Sequence, residues 1–78
     1  MKFNLYCSKD DKAWFGDPFL KASDELARRD FIIAARTDGT PVKMYKEDIS
    51  LYRVGTFDNI TGKIEPTLEL IMKASEVE

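Results

Sequence analysis

The chain has 78 residues, a formal net charge of −2 and a single cysteine, Cys7. These values predict one domain over residues 1–78, exclude a scaffold held by intramolecular disulfides and argue against strong nonspecific binding to polyanions. The hydrophobic content of 44% is ordinary for a globular protein, and no apolar run approaches the roughly 20 residues of a membrane span. We therefore expect a folded protein of a reducing compartment such as the cytoplasm, without membrane association.

The N-terminal segment 2–8, KFNLYCS, alternates apolar and polar residues with the period of two that is typical of a half-buried strand. This pattern predicts that Phe3, Leu5 and Cys7 face the core. Tyr6 is then expected on the opposite side, and Cys7 is expected to be a core residue rather than a nucleophile, because the chain has no histidine to activate it.

Residues 9–12, KDDK, predict a polar turn, and residues 13–15, AWF, predict a short returning segment. The GDP sequence at 16–18 ends that segment. Residues 19–22, FLKA, are expected to be extended at the edge of a sheet, because Pro18 cannot donate to an inner hydrogen-bond ladder.

A helix is predicted after Ser23, whose hydroxyl can cap it, with Asp24 and Glu25 in the first turn where the helix dipole favours negative charge. Gly39 is expected to end the helix, and Pro41 to prevent its resumption. One broad apolar face is predicted, made by Leu26, Ala27, Phe31, Ile33, Ala34 and Ala35.

A connector with some extended character is expected at 42–48, followed by an inner strand at 49–57, which is rich in β-branched and aromatic residues. Asp58 and Gly62 then predict a turn, Asp58 by accepting bonds from backbone amides and Gly62 by adopting a positive φ. Residues 63–65 are expected to return antiparallel to the strand.

The segment 67–77 fits two patterns. A strand face would contain Leu68, Leu70, Met72 and Ala74, and a helix face would contain Leu68, Ile71, Met72 and Ser75. We favour the strand, because Pro66 restarts the pattern and the alternation is longer. Together the elements predict an α+β fold, with one helix packed on an antiparallel sheet of about four or five strands.

The composition argues against catalysis. The chain has no histidine, which excludes the commonest zinc sites and the catalytic pairs in which histidine activates a nucleophile. It also has no glycine-rich loop of the kind that binds phosphate. The adjacent carboxylates Asp10 and Asp11, like Glu47 and Asp48, would point to opposite sides of an extended segment. We therefore predict that the protein is not an enzyme and has neither a metal site nor a cofactor.

Two groups of residues suggest nucleic-acid binding. Three helix arginines form a stripe that could follow a phosphate backbone, or alternatively a solvated face on which Arg28 pairs with Asp24. Large aromatic residues near basic ones suggest platforms on which single-stranded bases stack. The predicted binding residues are Trp14, Arg28, Arg29, Arg36, Lys43, Tyr45, Lys46, Tyr52 and Arg53.

Residues 51–66, LYRVGTFDNITGKIEP, resemble the small nonstructural protein of gokushovirus-type microviruses, which are single-stranded DNA bacteriophages. The sequences YCSKDDKA at 6–13 and DPF at 17–19 support the resemblance, which spans nearly the whole chain. It implies an early, noncapsid phage protein that binds DNA or helps to switch replication toward single-stranded progeny genomes. The cytoplasm of the bacterial host is the implied location.

We therefore expect an accessory protein that binds single-stranded DNA weakly or cooperatively, with the phage replication protein as a further partner. The alternative is an adaptor that regulates the phage or host replication machinery without contacting DNA, which the acidic C-terminal residues favour. A homodimer is a separate expectation, because an exposed apolar strand edge is commonly hidden by pairing with a second copy.

Overall fold

The computed structural model describes residues 1–78 and contains one antiparallel sheet with the strand order β2-β1-β3-β4. The strands are β1 (Lys2–Asp10), β2 (Phe19–Lys21), β3 (Ile49–Asp58) and β4 (Ile64–Lys73). The helices are α1 (Asp24–Arg36) and α2 (Pro41–Met44), and a 3₁₀ turn follows at Ala74–Glu76.

The expected α+β class is wrong, because strand makes up 42% of the chain and the molecule is mostly an antiparallel four-stranded sheet. β4 runs for ten residues and joins the return predicted at 63–65 to the strand favoured after Pro66. Pro66 does not interrupt β4, because an edge strand tolerates a residue that cannot donate to a ladder. The strand interpretation of 67–77 is confirmed as far as Lys73.

The start of α1 is confirmed and the predicted end is wrong. The Ser23 hydroxyl accepts a hydrogen bond from the Leu26 amide at 3.3 Å. The helix ends at Arg36, before Gly39 (φ 88°) is reached. Pro41 then begins α2 in place of the predicted extended connector, because the first helical position needs no backbone donor.

The buried face of α1 is narrower than predicted. Ala27, Phe31 and Ala35 are buried, whereas Ile33 is 58% exposed. Ile33 is two residues from Phe31 and is therefore rotated by roughly 200° around the helix axis, which directs it to solvent.

The core lies between α1 and one face of the sheet, which we call the helix face. Its buried cluster consists of Tyr6, Ala27, Phe31, Ile49, Leu51 and Ala74. The predicted orientation of β1 is therefore wrong, because Tyr6 is fully buried under the helix and its ring stacks on Phe19 at a centroid distance of 5.8 Å. Cys7 is buried as predicted, but on the other side of the sheet.

The second face of the sheet, which we call the open face, has no helix packed on it. Residues directly opposite each other on neighbouring strands share a face, so the register identifies its members. They include Phe3, Leu5, Cys7, Lys9, Leu20, Ser50, Tyr52, Gly55, Phe57, Ile64, Pro66, Leu70 and Lys73, and the alternation of β4 adds Leu68.

The short returning segment predicted at 13–15 is confirmed, because Phe15 makes an isolated antiparallel bridge with Lys9 and the Asp10 amide donates to the Trp14 carbonyl oxygen at 3.2 Å. The Gly16 amide donates to the Ser8 carbonyl oxygen at 2.7 Å, which holds the loop against the end of β1. β2 lies at the sheet edge, as the adjacent Pro18 predicts.

The predicted turn between β3 and β4 is confirmed. The Asp58 carboxylate accepts hydrogen bonds from the amides of Ile60 and Thr61 at 2.9 and 3.4 Å. Gly62 has a φ of 78°, in the region that favours glycine. The register shifts between Leu51 and Tyr52 and again between Arg53 and Gly55, so the two strands are irregularly paired.

Candidate nucleic-acid interface

An aromatic–lysine patch occupies one end of the open face and consists of Lys9, Phe15 and Tyr52. Phe15 contacts Tyr52 edge to face, with ring centroids 5.6 Å apart and an interplanar angle of 73°. The Lys9 ammonium lies 5.7 Å from the Phe15 centroid, within the range of a cation–π interaction. These contacts form because the 11–18 loop folds back onto β1 and brings Phe15 to the sheet.

Phe15 is 39% exposed, and Trp14, which precedes it in the 11–18 loop, is 79% exposed. Exposed aromatic rings beside ammonium groups provide both surfaces that single-stranded nucleic acid requires, one for base stacking and one for phosphate. The patch can therefore receive an unpaired base on an aromatic face while a lysine contacts the adjoining backbone.

The charge on the open face differs from that of the whole chain. No strand position on this face carries a carboxylate, and its two charged strand positions are Lys9 and Lys73. Acidic groups approach only from the loop, where Asp11 lies 3.9 Å from Lys9 and Asp17 lies near Cys7. Burial, followed by the charge of Asp17, raises the pKa of the Cys7 thiol, which favours its uncharged form.

The helix arginines lie on the opposite side of the sheet from this patch. Arg28 and Arg29 are exposed and form no ion pair. The pairing of Arg28 with Asp24 does not form, because Asp24 is bound by other partners. Arg36 is exposed, and its Nε donates to the main-chain oxygen of Glu78 at 3.4 Å.

The predicted residues around α2 are held by local interactions. Lys43 forms an ion pair with Asp38, and the Lys46 ammonium donates to the main-chain oxygen of Val77 at 3.2 Å. Tyr45 follows α2 and is exposed. The nine predicted residues therefore do not form one surface, since the strand register places only Tyr52 among them on the open face.

Arg53 is on the helix face, where it joins a polar network with Tyr6, Asp24 and Glu69. Its Nη1 donates to both carboxylate oxygens of Asp24 at 2.9 Å, and its Nη2 pairs with Glu69. The Tyr6 hydroxyl donates to Asp24 at 2.5 Å, and the Asn4 side-chain amide donates to Tyr6 at 3.0 Å. This network joins the first turn of α1 to the two central strands of the sheet.

The network sets the protonation of its members. The Tyr6 hydroxyl, and then the Arg53 guanidinium, hold the pKa of Asp24 below its usual value, although partial burial opposes this. Burial raises the pKa of Tyr6, and its hydrogen bond to Asp24 raises it further. The native state therefore favours an ionised Asp24 beside a neutral Tyr6.

We expect Asp24→Asn to make the stability of the protein less dependent on pH in acid. The pKa of Asp24 is lower in the folded chain than its unfolded value of about 3.9, so its stabilising contribution is present above that pH. This contribution is lost as the pH falls from the unfolded pKa of Asp24 through its lower pKa in the folded chain. Urea unfolding between pH 6 and about pH 2 should show a shallower decline in the variant.

Asp17→Asn is the matched control, because Asp17 is exposed and forms no ion pair. Hydrogen bonds also lower the pKa of Asp30, Asp38 and Asp58, so some acid dependence should persist in Asp24→Asn. Superimposable pH profiles for wild type and Asp24→Asn would contradict the role given to the network.

Lys9, Phe15 and Lys73 were missed by the sequence prediction. A signal for the first two exists, because Lys9 and Phe15 flank a polar turn and a tight reversal places such residues opposite each other. Lys73 had no local signal, since its position on the open face depends on the register of β4 against β3.

Neither helix has the length and apolar character needed to cross a membrane. No group of three or more cysteine and carboxylate side chains converges in a way that could hold a metal ion. In comparisons with known proteins, a family model described as Phage ORF5 protein matches residues 3–77. No curated protein and no solved structure matches the chain.

Proposed function

The chain belongs to the Phage ORF5 protein family, and from this premise we propose that it is a nonenzymatic accessory protein of phage replication that binds single-stranded DNA. The proposal extends to gokushovirus-type microviruses, the phages whose small nonstructural protein resembles residues 51–66. It also assigns the protein to the cytoplasm of the bacterial host, where it would assist the switch to single-stranded genome synthesis. The phage replication protein is the further partner in this scheme.

The observation that supports DNA binding best is the aromatic–lysine patch. Phe15 and Tyr52 form an edge-to-face pair in the patch, and Trp14, next to Phe15 in the loop, adds an exposed indole. Stacking a base on such a ring stabilises single-strand complexes by about 1–3 kcal/mol and works for every base. The patch therefore suits binding that tolerates any sequence.

Electrostatics limit the strength of this binding. The formal net charge is −2, so long-range attraction of a polyanion is weak and the cations of the open face must act locally. With few phosphates neutralised, affinity should fall with salt at a slope of roughly −0.7 per phosphate in a log–log plot. Weak or cooperative binding at low ionic strength follows.

Fluorescence anisotropy with a labelled single-stranded oligonucleotide, titrated at several salt concentrations, tests the proposal. We expect Trp14→Ala to weaken binding by about tenfold or more, because it removes one stacking surface. Lys9→Gln should flatten the salt slope by roughly 0.7, since one phosphate contact is lost. Lys63→Gln is the control, as Lys63 is an exposed lysine beside the hairpin turn, remote in register from Lys9.

Two outcomes would count against the proposal in different ways. No measurable binding of the wild-type protein at low salt would refute DNA binding altogether. If Trp14→Ala binds normally while the double variant Arg28→Ala/Arg29→Ala does not, the interface lies on α1, where these two arginines have no intramolecular partner.

A second candidate function is a protein adaptor that regulates the phage or host replication machinery without contacting DNA. The exposed carboxylates at the end of the chain favour it, because Glu76 and Glu78 form no ion pair and are free to meet a basic partner. Partners that survive nuclease treatment in a pull-down from infected cells would support the adaptor, and loss of all partners would exclude it.

A further inference from the structure

We propose that single-stranded DNA crosses the open face at right angles to the strands, with Lys9 and Lys73 each contacting one phosphate. This inference rests on the proposed function and deepens it, because it adds Lys73 to the binding site and gives the path of the DNA. The path follows a cross-strand row, which consists of Phe15, Lys9, Ser50 and Lys73.

The register of the sheet defines this cross-strand row. Lys9 pairs with Ser50, and Ser50 pairs with Lys73, so the two lysines share a face and are separated by one strand. Neighbouring strands are about 4.8 Å apart, which puts the two lysine Cα atoms about 10 Å apart. That distance is about three steps of a stacked strand of DNA at roughly 3.4 Å each. Two phosphates of one short oligonucleotide can therefore reach both ammonium groups.

Lys73 is the lysine of the row that has no competing carboxylate. Its side chain is exposed and forms no ion pair, whereas the Lys9 ammonium lies 3.9 Å from Asp11. Ser50 lies between the two lysines, is 5% exposed and is too short to hold a bound strand away from the sheet. A phosphate above the row therefore meets an unpaired ammonium at Lys73.

The groups on the two sides of the row orient the DNA. Tyr52 follows Ser50 by two residues in β3, and its ring contacts Phe15 on that side of the row. Asp11 follows Lys9 by two residues and, because β1 is antiparallel to β3, lies on the other side. Phosphates above the row with bases directed toward the rings combine stacking with charge pairing and keep the backbone away from Asp11.

A strand of DNA that lay along β3 would leave the row and lose a cation. It would pass Gly55 and end beside Phe57 and Ile64, and these positions of the open face carry no positive charge. Neutralisation of phosphates supplies the electrostatic part of binding, so the crossing path is favoured.

Salt titrations of fluorescence anisotropy test the path, with a labelled oligothymidylate of about ten nucleotides, a length within the site sizes of single-strand binders. We expect Lys73→Gln to flatten the salt slope by roughly 0.7, and Lys9→Gln/Lys73→Gln to flatten it by roughly 1.4. Lys73→Arg should keep the wild-type slope, because it retains the cation. Lys63→Gln is the matched control, since it makes the same change at an exposed lysine of the β3–β4 turn.

Ile64→Glu distinguishes the crossing path from one along β3. Ile64 pairs with Phe57, which is seven residues from Ser50 and therefore roughly 20 Å away along the strand. This distance is about two Debye lengths at 0.1 M salt, so affinity at that salt should stay within about twofold of wild type. DNA lying along β3 would meet the added carboxylate and bind about tenfold or more weakly.

Lys73→Gln with the slope of wild type, beside a reduced slope in Lys9→Gln, would overturn the crossing path and leave the DNA-binding proposal intact. Loss of binding in Ile64→Glu, with circular dichroism showing a folded protein, would also overturn it. Absence of binding by the wild-type protein at low salt would refute both proposals. The two failures therefore give different results.

Discussion

We expect Leu51→Ala to lower the free energy of unfolding by about 2–5 kcal/mol, which is the range for truncating a fully buried leucine. Leu51 has no exposed surface and lies near the start of β3, paired with Ser8 on one side and Met72 on the other. A small domain has a total stability of only about 5–15 kcal/mol, so the variant should be marginally folded. Urea denaturation followed by circular dichroism measures the change.

Leu68→Ala is the control for this prediction. It makes the same chemical change in the adjoining strand, but Leu68 is 65% exposed on the open face. When both proteins are compared at a concentration where the chain is monomeric, its loss should be below about 1 kcal/mol, because little buried surface is removed. Equal losses for the two variants would show that the core is not centred on the helix face.

We expect Gly55→Ala to destabilise the protein by about 1–3 kcal/mol through overpacking. A Cβ atom at this position would lie 2.6 Å from the carbonyl oxygen of Glu65, which is far inside the contact distance. The obstructing atom belongs to the backbone of β4, so the two strands must separate where their register already shifts. The midpoint of urea unfolding should fall accordingly.

Gly16→Ala is the matched control for Gly55→Ala. A Cβ atom at Gly16 would lie 3.1 Å from the hydroxyl oxygen of Ser8, a side-chain atom that can rotate away. Neither glycine has a positive φ, so the comparison isolates the packing contact. If the two alanine variants were equally stable, the close approach of β4 to Gly55 would be incorrect.

The parts of the fold that were predicted correctly depend on local chemistry. Ser23 caps α1, and Asp58 and Gly62 define the turn, because each acts on backbone within a few residues of itself. The inner position of β3 was also predicted, from its content of β-branched and aromatic residues.

The errors concern relations between distant segments. Alternation shows which residues of β1 share a face, but not which face α1 will cover. Tyr6 is covered because Asp24 and Asn4 satisfy its hydroxyl, and this pairing joins residues far apart in the sequence. The continuity of β4 through Pro66 is likewise set by its pairing with β3, which joins two segments that the sequence presents separately.

The candidate site was predicted only in part. Tyr52 lies on the open face, and a tight reversal brings Phe15 to it beside Lys9. Trp14 is exposed in the same loop. Arg53 was predicted to bind nucleic acid, and in the structure it pairs with Asp24 and Glu69. Its contact with DNA stays a prediction, and one that would require this network to open.

The strand order has a consequence for how quickly the protein folds. β3 and β4 are joined by a short turn and can form a hairpin within microseconds. β1 is the first strand in the chain but lies between β2 and β3, and Lys2 pairs with Asp58 across most of the sequence. Bringing β1 to β3 costs the entropy of closing this long loop before any contact between the two strands forms. Pairing of β1 with the preformed β3–β4 hairpin is therefore the expected slow step of folding. During synthesis, β1 therefore remains without its partner strand β3 until residues 49–58 have left the ribosome.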